Sequence, residues 1–175
     1  MTSMSATTLP AGPWSVQDLD AFPTSPTVRY ELIDGALLVT SEPTLQHQRV
    51  NLLLARQLQD AAPVGVEVFL PVDVRLSPLR QIAPDVTVVR QEHTSGARLT
   101  GLPLLVVEVQ SPSTRVVDLV LKRQVLQEAG VPSYWLVEPD TGTITVLELQ
   151  DGEYVQTARG TTVVVERPFP VTISL

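Results

Sequence analysis

Two acids and one lysine within the stretch 84–137 carry most of the chemistry this sequence can offer. Asp85 follows a proline at the head of a short apolar run, Val86-Thr87-Val88-Val89. Glu108 is the only charged residue in Leu104-Leu105-Val106-Val107-Glu108-Val109. That run is apolar on both faces and reads as a central strand. An ionised carboxylate there is costly unless a cation meets it. If the two strands are neighbours, both acids converge at one sheet end, where they repel and one tends to keep a proton. A divalent cation removes the repulsion: Mg²⁺ takes oxygen ligands and commonly uses one or two carboxylates plus waters. The plainer alternative makes Asp85 a turn acid and pairs Glu108 with an arginine.

Lys122 is the only lysine of the chain and stands four residues after Asp118. That spacing suits a solvated bridge on a helix surface. Lys122 also neighbours Leu119 and Leu126 of an apolar stripe, so its stem could follow the core while its ammonium reaches the end of the Glu108 strand. Taken singly, Glu31 reads as a surface acid on a strand, His47 as a hydrogen-bonded histidine on the buried side of a first helical turn, and Asp73 as a surface acid.

The elements that must position these residues are legible around them. Ser111-Pro112-Ser113-Thr114 breaks the Glu108 strand and offers a hydroxyl N-cap. A helix follows over about 115–129, closed by Gly130 in the left-handed region with Pro132 beyond. Tyr134-Trp135-Leu136-Val137 returns as a strand, which makes a βαβ unit with a right-handed crossover if the strands are parallel. Upstream, residues 1–13 read as a disordered tail. Ser15 and Asp18 form a capping box for a short helix that ends before Pro23. Asp34-Gly35 is a type I′ hairpin turn between strands, and Glu31 lies on the first of them. A helix is expected over Leu45–Ala61, with Val50, Leu53, Leu54, Leu58 and Ala61 on one inward face. Alternation from Val66 to Leu76 predicts one half-buried strand, with Pro71 marking an edge or a bulge. Residues 90–101 form the one long irregular segment and read as a mobile flap. After Trp135 a β-meander is expected, with strands over 143–149, from 153, and over 162–165.

Composition bounds the rest. At 175 residues the chain is read as one domain, 14–175, with its disordered tail. The absence of cysteine excludes disulfides, thiolate zinc sites and cysteine nucleophiles. No run is long enough for a transmembrane helix and no secretory leader is read, so the cytoplasm is expected. A net charge of −7 argues against a broad nucleic-acid surface, though not against a local basic cleft.

Pro84-Asp85 followed by Glu108-Val109-Gln110 resembles the PD-(D/E)xK nuclease signature, with Gln110 in the usual lysine position. More closely, Tyr30-Glu31-Leu32-Ile33-Asp34-Gly35, His47, Pro84-Asp85-Val86, Glu108 to Arg115, Lys122 and Gly130-Val131-Pro132-Ser133-Tyr134-Trp135 resemble the Uma-two (Uma2) family of restriction-endonuclease-like proteins. The resemblance implies an α/β, restriction-endonuclease-like fold: a mixed central β-sheet flanked by helices, with a β-meander C-terminal part. It implies a metal-dependent endonuclease acting on DNA, working as a homodimer. Asp85, Glu108 and the Val109 carbonyl would hold Mg²⁺ or Mn²⁺. Lys122 would replace the lysine missing from the strand. Glu31 would hold a second metal or a metal-bound water, and His47 would contact the scissile phosphate or tune a water. Leu126 departs from the pattern, where a tyrosine is common, and so does Gln110, where an apolar residue is common. Two other readings stay open beside it: a catalytically weak or inactive nucleic-acid- or partner-binding accessory protein of the same fold, and a metal-dependent hydrolase of a small phosphorylated ligand.

Overall fold

Ser15 opens the first helix by accepting from the Asp18 amide at 3.3 Å, and the Asp18 carboxylate accepts from the Ser15 amide at 2.7 Å. The expected capping box is therefore formed at the head of α1 (Val16–Asp20). A computed structural model describes residues 12–22, 28–41, 43–95, 98–99, 101–111 and 115–175. Most of the expected N-terminal tail and most of the Ser-Pro-Ser-Thr cap lie outside the described residues. The last tail residue, Pro13, packs against the Gly35 turn, where a Cβ on Gly35 would fall 2.7 Å from its own Cβ.

The expected hairpin is β1 (Val28–Ile33) and β2 (Ala36–Ser41), paired antiparallel. Asp34 and Gly35 have φ of 50° and 80°, the two positive values that a type I′ turn requires. The helix α2 spans Leu45–Ala61 as the periodicity indicates, with the Thr44 hydroxyl accepting from the His47 amide. The strand expected over 66–76 is two strands, β3 (Val66–Phe69) and β4 (Val74–Ser77). They belong to different sheets, with Pro71 in the break. Two strands in the same inward phase give the same alternation as one, which is why the sequence pattern joins them.

β5 (Arg80–Ile82) joins β1, and β4 joins β5, to complete an antiparallel sheet of order β2-β1-β5-β4. β6 (Val86–Arg90) leads into a 3₁₀ turn, Gln91–His93, and a two-residue ladder of β7 (Thr94–Ser95) with β8 (Arg98–Leu99). The segment read as a flap thus carries some structure of its own. It hangs from the far end of β6, five strand residues from Asp85, or roughly 16 Å at about 3.3 Å per residue.

β9 (Leu105–Val109) is wholly buried and central, as its two-sided apolar character requires. The helix that follows runs π-helical over Val117–Lys122 and then α-helical as α3 (Arg123–Ala129). Gly130 closes it at φ 80°. β10 (Ser133–Glu138) lies parallel to β9, which completes the expected βαβ unit. β11 (Thr143–Gln150) and β12 (Glu153–Gly160) extend the sheet as the meander. The six-stranded mixed sheet has the order β12-β11-β10-β9-β6-β3. β13 (Thr162–Val165) pairs with β14 (Val171–Ser174), a strand the sequence pattern does not announce, in a separate ribbon.

Each face of the large sheet carries its own core. On one, Val50, Leu54 and Leu58 of α2 pack on Val86, Val107 and Trp135. On the other, Leu126 of α3 packs on Val106, Tyr134 and Leu136. Among the described residues no helix is long and apolar enough to cross a membrane.

Candidate active site

β6 and β9 are antiparallel neighbours, and Val86 pairs with Val107. One step beyond that ladder the Asp85 carboxylate accepts from the Val109 amide, so Asp85 and Glu108 lie at the same end of the two strands, as the strand reading requires. Asp85 is buried, and four donors surround its carboxylate. On Oδ1 these are Asn51 Nδ2 at 3.2 Å and Arg29 Nη1 at 3.4 Å. On Oδ2 they are the Val109 amide at 2.9 Å and His47 Nε2 at 3.0 Å. Asp85 is therefore more than a turn acid: it ties α2, β1 and the end of β9 together. His47 faces inward as its helical phase indicates, and its partner is Asp85.

Lys122 lies deep on the opposite face. Its Nζ is 2.9 Å from Glu108 Oε1, 2.9 Å from Glu31 Oε1 and 3.6 Å from Asp118 Oδ1. All four side chains are at most 5% exposed. The surface-bridge reading of Asp118 and Lys122 is thereby overturned, and so is the surface reading of Glu31. Glu31 Oε1 also accepts from the Ala83 amide at 2.8 Å, which fixes the turn leading to Asp85. Glu108 is paired with this lysine, not with an arginine. Leu119, expected in the inward stripe, is 38% exposed, whereas Asp118 is buried. Along this helix the inward positions are 118, 122, 125 and 126, so Asp118 and Lys122 share the buried face, and the stretch that carries them is π-helical.

The electrostatics follow from burial and from the count of charges. Glu31, Asp85, Glu108 and Asp118 face one ammonium, one guanidinium and the imidazole of His47, so the carboxylates outnumber the cations by two with His47 neutral and by one with it protonated. Burial pushes the Glu108 carboxyl well above the ordinary carboxylate range; Lys122 opposes this, and Asp85, Asp118 and Glu31 add to it. Burial also pushes Asp85 up, but the hydrogen bond and charge of His47, the Val109 amide and Arg29 outweigh it and hold Asp85 below its ordinary value. The two neighbouring acids are thus driven apart in acidity.

This gives an expected result for Glu108→Gln. A carboxyl whose folded pKa is raised contributes stability below its unfolded value of about 4.3 and loses it as pH rises toward the folded value. Without divalent metal, the glutamine variant should therefore melt a few degrees above the wild type at pH 7–8. The gain should vanish near pH 4. Melting curves across that range check it, and a variant less stable at pH 8 would contradict the stated charge balance.

The donor types and the excess of carboxylates over cations fit a divalent cation. Among the described residues, no three His, Asp or Glu side chains converge closely enough to hold one by themselves. The set would be Asp85, Glu108 and the Val109 carbonyl, with waters for the remaining positions. Polar atoms at this sheet end have no hydrogen-bond partner among the described residues: His47 Nδ1, Asn51 Oδ1 and Gln110 Nε2. Buried groups of this kind are rarely left unpaired.

The structure adds Arg29, Asn51 and Asp118 to the five residues picked out from the sequence. Arg29 precedes Glu31 by two on the same strand, so the two share a face. Asn51 follows His47 by four, one helical turn later. Spacing could have pointed to both.

The Uma2 family model, described as "Putative restriction endonuclease", matches residues 16–175. The chain belongs to the Uma2 family. The matched span contains Glu31, His47, Asp85, Glu108 and Lys122, and nuclease-like proteins are the family's stated kind. A solved structure from Anabaena variabilis, titled a putative nuclease belonging to DUF820, has a TM-score of 0.68 with this Uma2 chain. Identity is 17%, over 88% of this chain and 89% of that one. That likeness is one of fold: the mixed central sheet with flanking helices and C-terminal strands is a nuclease fold. No curated protein matches the chain.

Proposed function

We propose that this Uma2 chain is an endonuclease that hydrolyses phosphodiester bonds in DNA, using Mg²⁺ or Mn²⁺ held by Asp85, Glu108 and the Val109 carbonyl. The observation that carries the reading is the single lysine, buried among three carboxylates and 2.9 Å from Glu108. A bound divalent ion would polarise the phosphate and lower the pKa of a coordinated water. Lys122 holds its ammonium at the strand end, where negative charge develops on the phosphate oxygens. His47 and Asn51 hold the Asp85 carboxylate in place. Glu31 holds both Lys122 and the turn before Asp85. Arg29, whose side chain is 31% exposed, presents a guanidinium to a phosphate arriving from solvent. Two copies related by a two-fold axis would cut both strands; a monomer in light scattering at micromolar concentration would remove that part. The cytoplasm is the proposed location.

The test is nicking and linearisation of plasmid DNA with and without Mg²⁺ or Mn²⁺, beside an Asp85→Ala control. In parallel, Mn²⁺ should raise the melting temperature of the wild type but not of the Asp85→Asn/Glu108→Gln double variant. An equal response in both would place metal elsewhere. A melting shift without cleavage would favour the accessory-protein reading.

A further inference from the structure

We propose that Tyr134 is a positioning residue for Lys122: its hydroxyl holds the widened helical turn that brings the ammonium onto Glu108. The inference rests on the reading of Lys122 as the site cation.

Tyr134 lies on β10, and its side chain is fully buried. Parallel pairing sets Leu136 beside Glu108 and Tyr134 beside Val106, so Tyr134 shares the Glu108 face of the sheet. Its hydroxyl donates to the Asp118 carbonyl at 3.0 Å. In an α-helix that carbonyl would accept from the amide four residues on, which is that of Lys122. Here the stretch Val117–Lys122 is π-helical, the class in which the ladder runs i→i+5, and at its end the Arg123 amide donates to the Val120 carbonyl. A side chain entering the helical ladder is one of the known causes of such distortions, and π-turns gather at functional sites. Asp118 and Lys122, the two buried residues of this stretch, are the ones whose position the Tyr134 hydroxyl can set through the Asp118 carbonyl. Burial, with the charges of Glu108 and Asp118, pushes the Tyr134 hydroxyl well above its ordinary pKa, so it remains a donor. The plainer alternative is a buried tyrosine satisfying its own hydroxyl, with no consequence for Lys122.

Because Lys122 is the only lysine, its accessibility can be read directly. The full-length protein is treated with the N-hydroxysuccinimide ester of acetic acid, and acetylation of Lys122 is followed by peptide mass, with the chain's α-amine as internal reference. Wild-type Lys122 should react far more slowly than the α-amine. Tyr134→Phe keeps the shape and removes one hydrogen bond. It should speed Lys122 acetylation about fivefold, the population change that follows from losing about 1 kcal/mol. Trp135→Phe is the control: it disturbs the neighbouring residue, whose side chain packs on the α2 face. It should leave the Lys122 rate unchanged. On plasmid, Tyr134→Phe should lower kcat and leave KM in place. An unchanged acetylation rate in Tyr134→Phe, or equal acceleration in Trp135→Phe, overturns the proposal. If the wild type cuts no DNA, the endonuclease reading fails alone, because the acetylation rates still decide the role of Tyr134.

Discussion

Replacing Lys122 with methionine is expected to cost roughly 3–5 kcal/mol of folding stability, because it strips the counter-ion from a buried set of carboxylates. Glu31 and Glu108 each lie 2.9 Å from the ammonium, and Asp118 lies at 3.6 Å. A solvated i,i+4 bridge would give up well under ~1 kcal/mol on the same change. The denaturant midpoint at pH 7 separates the two cases. Burial pulls the Lys122 pKa down, but Glu108, Glu31 and Asp118 more than reverse this and raise it. A raised folded pKa means that the contribution is fully present below the unfolded value of about 10.4 and is lost only above it. The difference between wild type and Lys122→Met should hence persist as pH rises from 6 to 9. Cleavage by the folded fraction should fall by about two decades or more, roughly 3 kcal/mol of transition-state stabilisation. Lys122→Arg should restore charge but rescue activity poorly, since a planar guanidinium does not fit where a compact ammonium meets two carboxylates. A wild-type midpoint together with full cleavage in Lys122→Met would end the case for this residue.

The site was legible in the sequence to the extent that its residues sit on elements with strong patterns. β9 betrayed its central position through valine and leucine on both faces, and the single Glu108 in it marked an acid needing a partner. The Gly130 cap and the parallel return of β10 fixed where the helix had to lie. The helix phase was not legible. The apolar stripe points to Leu119, but the buried residue is Asp118, in a π-helical stretch where its carbonyl meets Tyr134 from a strand later in the chain. Glu31 looked like a surface acid because strand alternation tells which residues share a face, but not that the face is covered. What covers it is Lys122, more than ninety positions later. The break between β3 and β4 was hidden for the same kind of reason. Local alternation carries no information about which sheet a strand joins.

Asp85 should prove the residue whose loss is least tolerated, and pH gives its signature. Asp85→Ala removes the acceptor for the Val109 amide, Asn51, His47 and Arg29 at once. The buried donors among these are left without partners, at a cost on the order of 3–5 kcal/mol in all. Asp85→Asn keeps the shape and one acceptor oxygen but turns an NH₂ group toward two of the four donors, so it should recover part of the stability and no cleavage. The folded carboxyl is held below its ordinary value. A depressed pKa contributes stability that is present above the unfolded value of about 3.9 and is lost as pH falls through the folded value. The stability gap between wild type and Asp85→Asn should therefore be widest near neutral pH and should close in acid. Glu108→Gln should show the opposite trend, its advantage growing as pH rises, because burial and three neighbouring acids push that carboxyl upward. Opposite slopes from two acids at the same end of β6 and β9 would show that the pair is polarised as their surroundings require. Parallel slopes, or wild-type cleavage by Asp85→Asn, would remove Asp85 from the site.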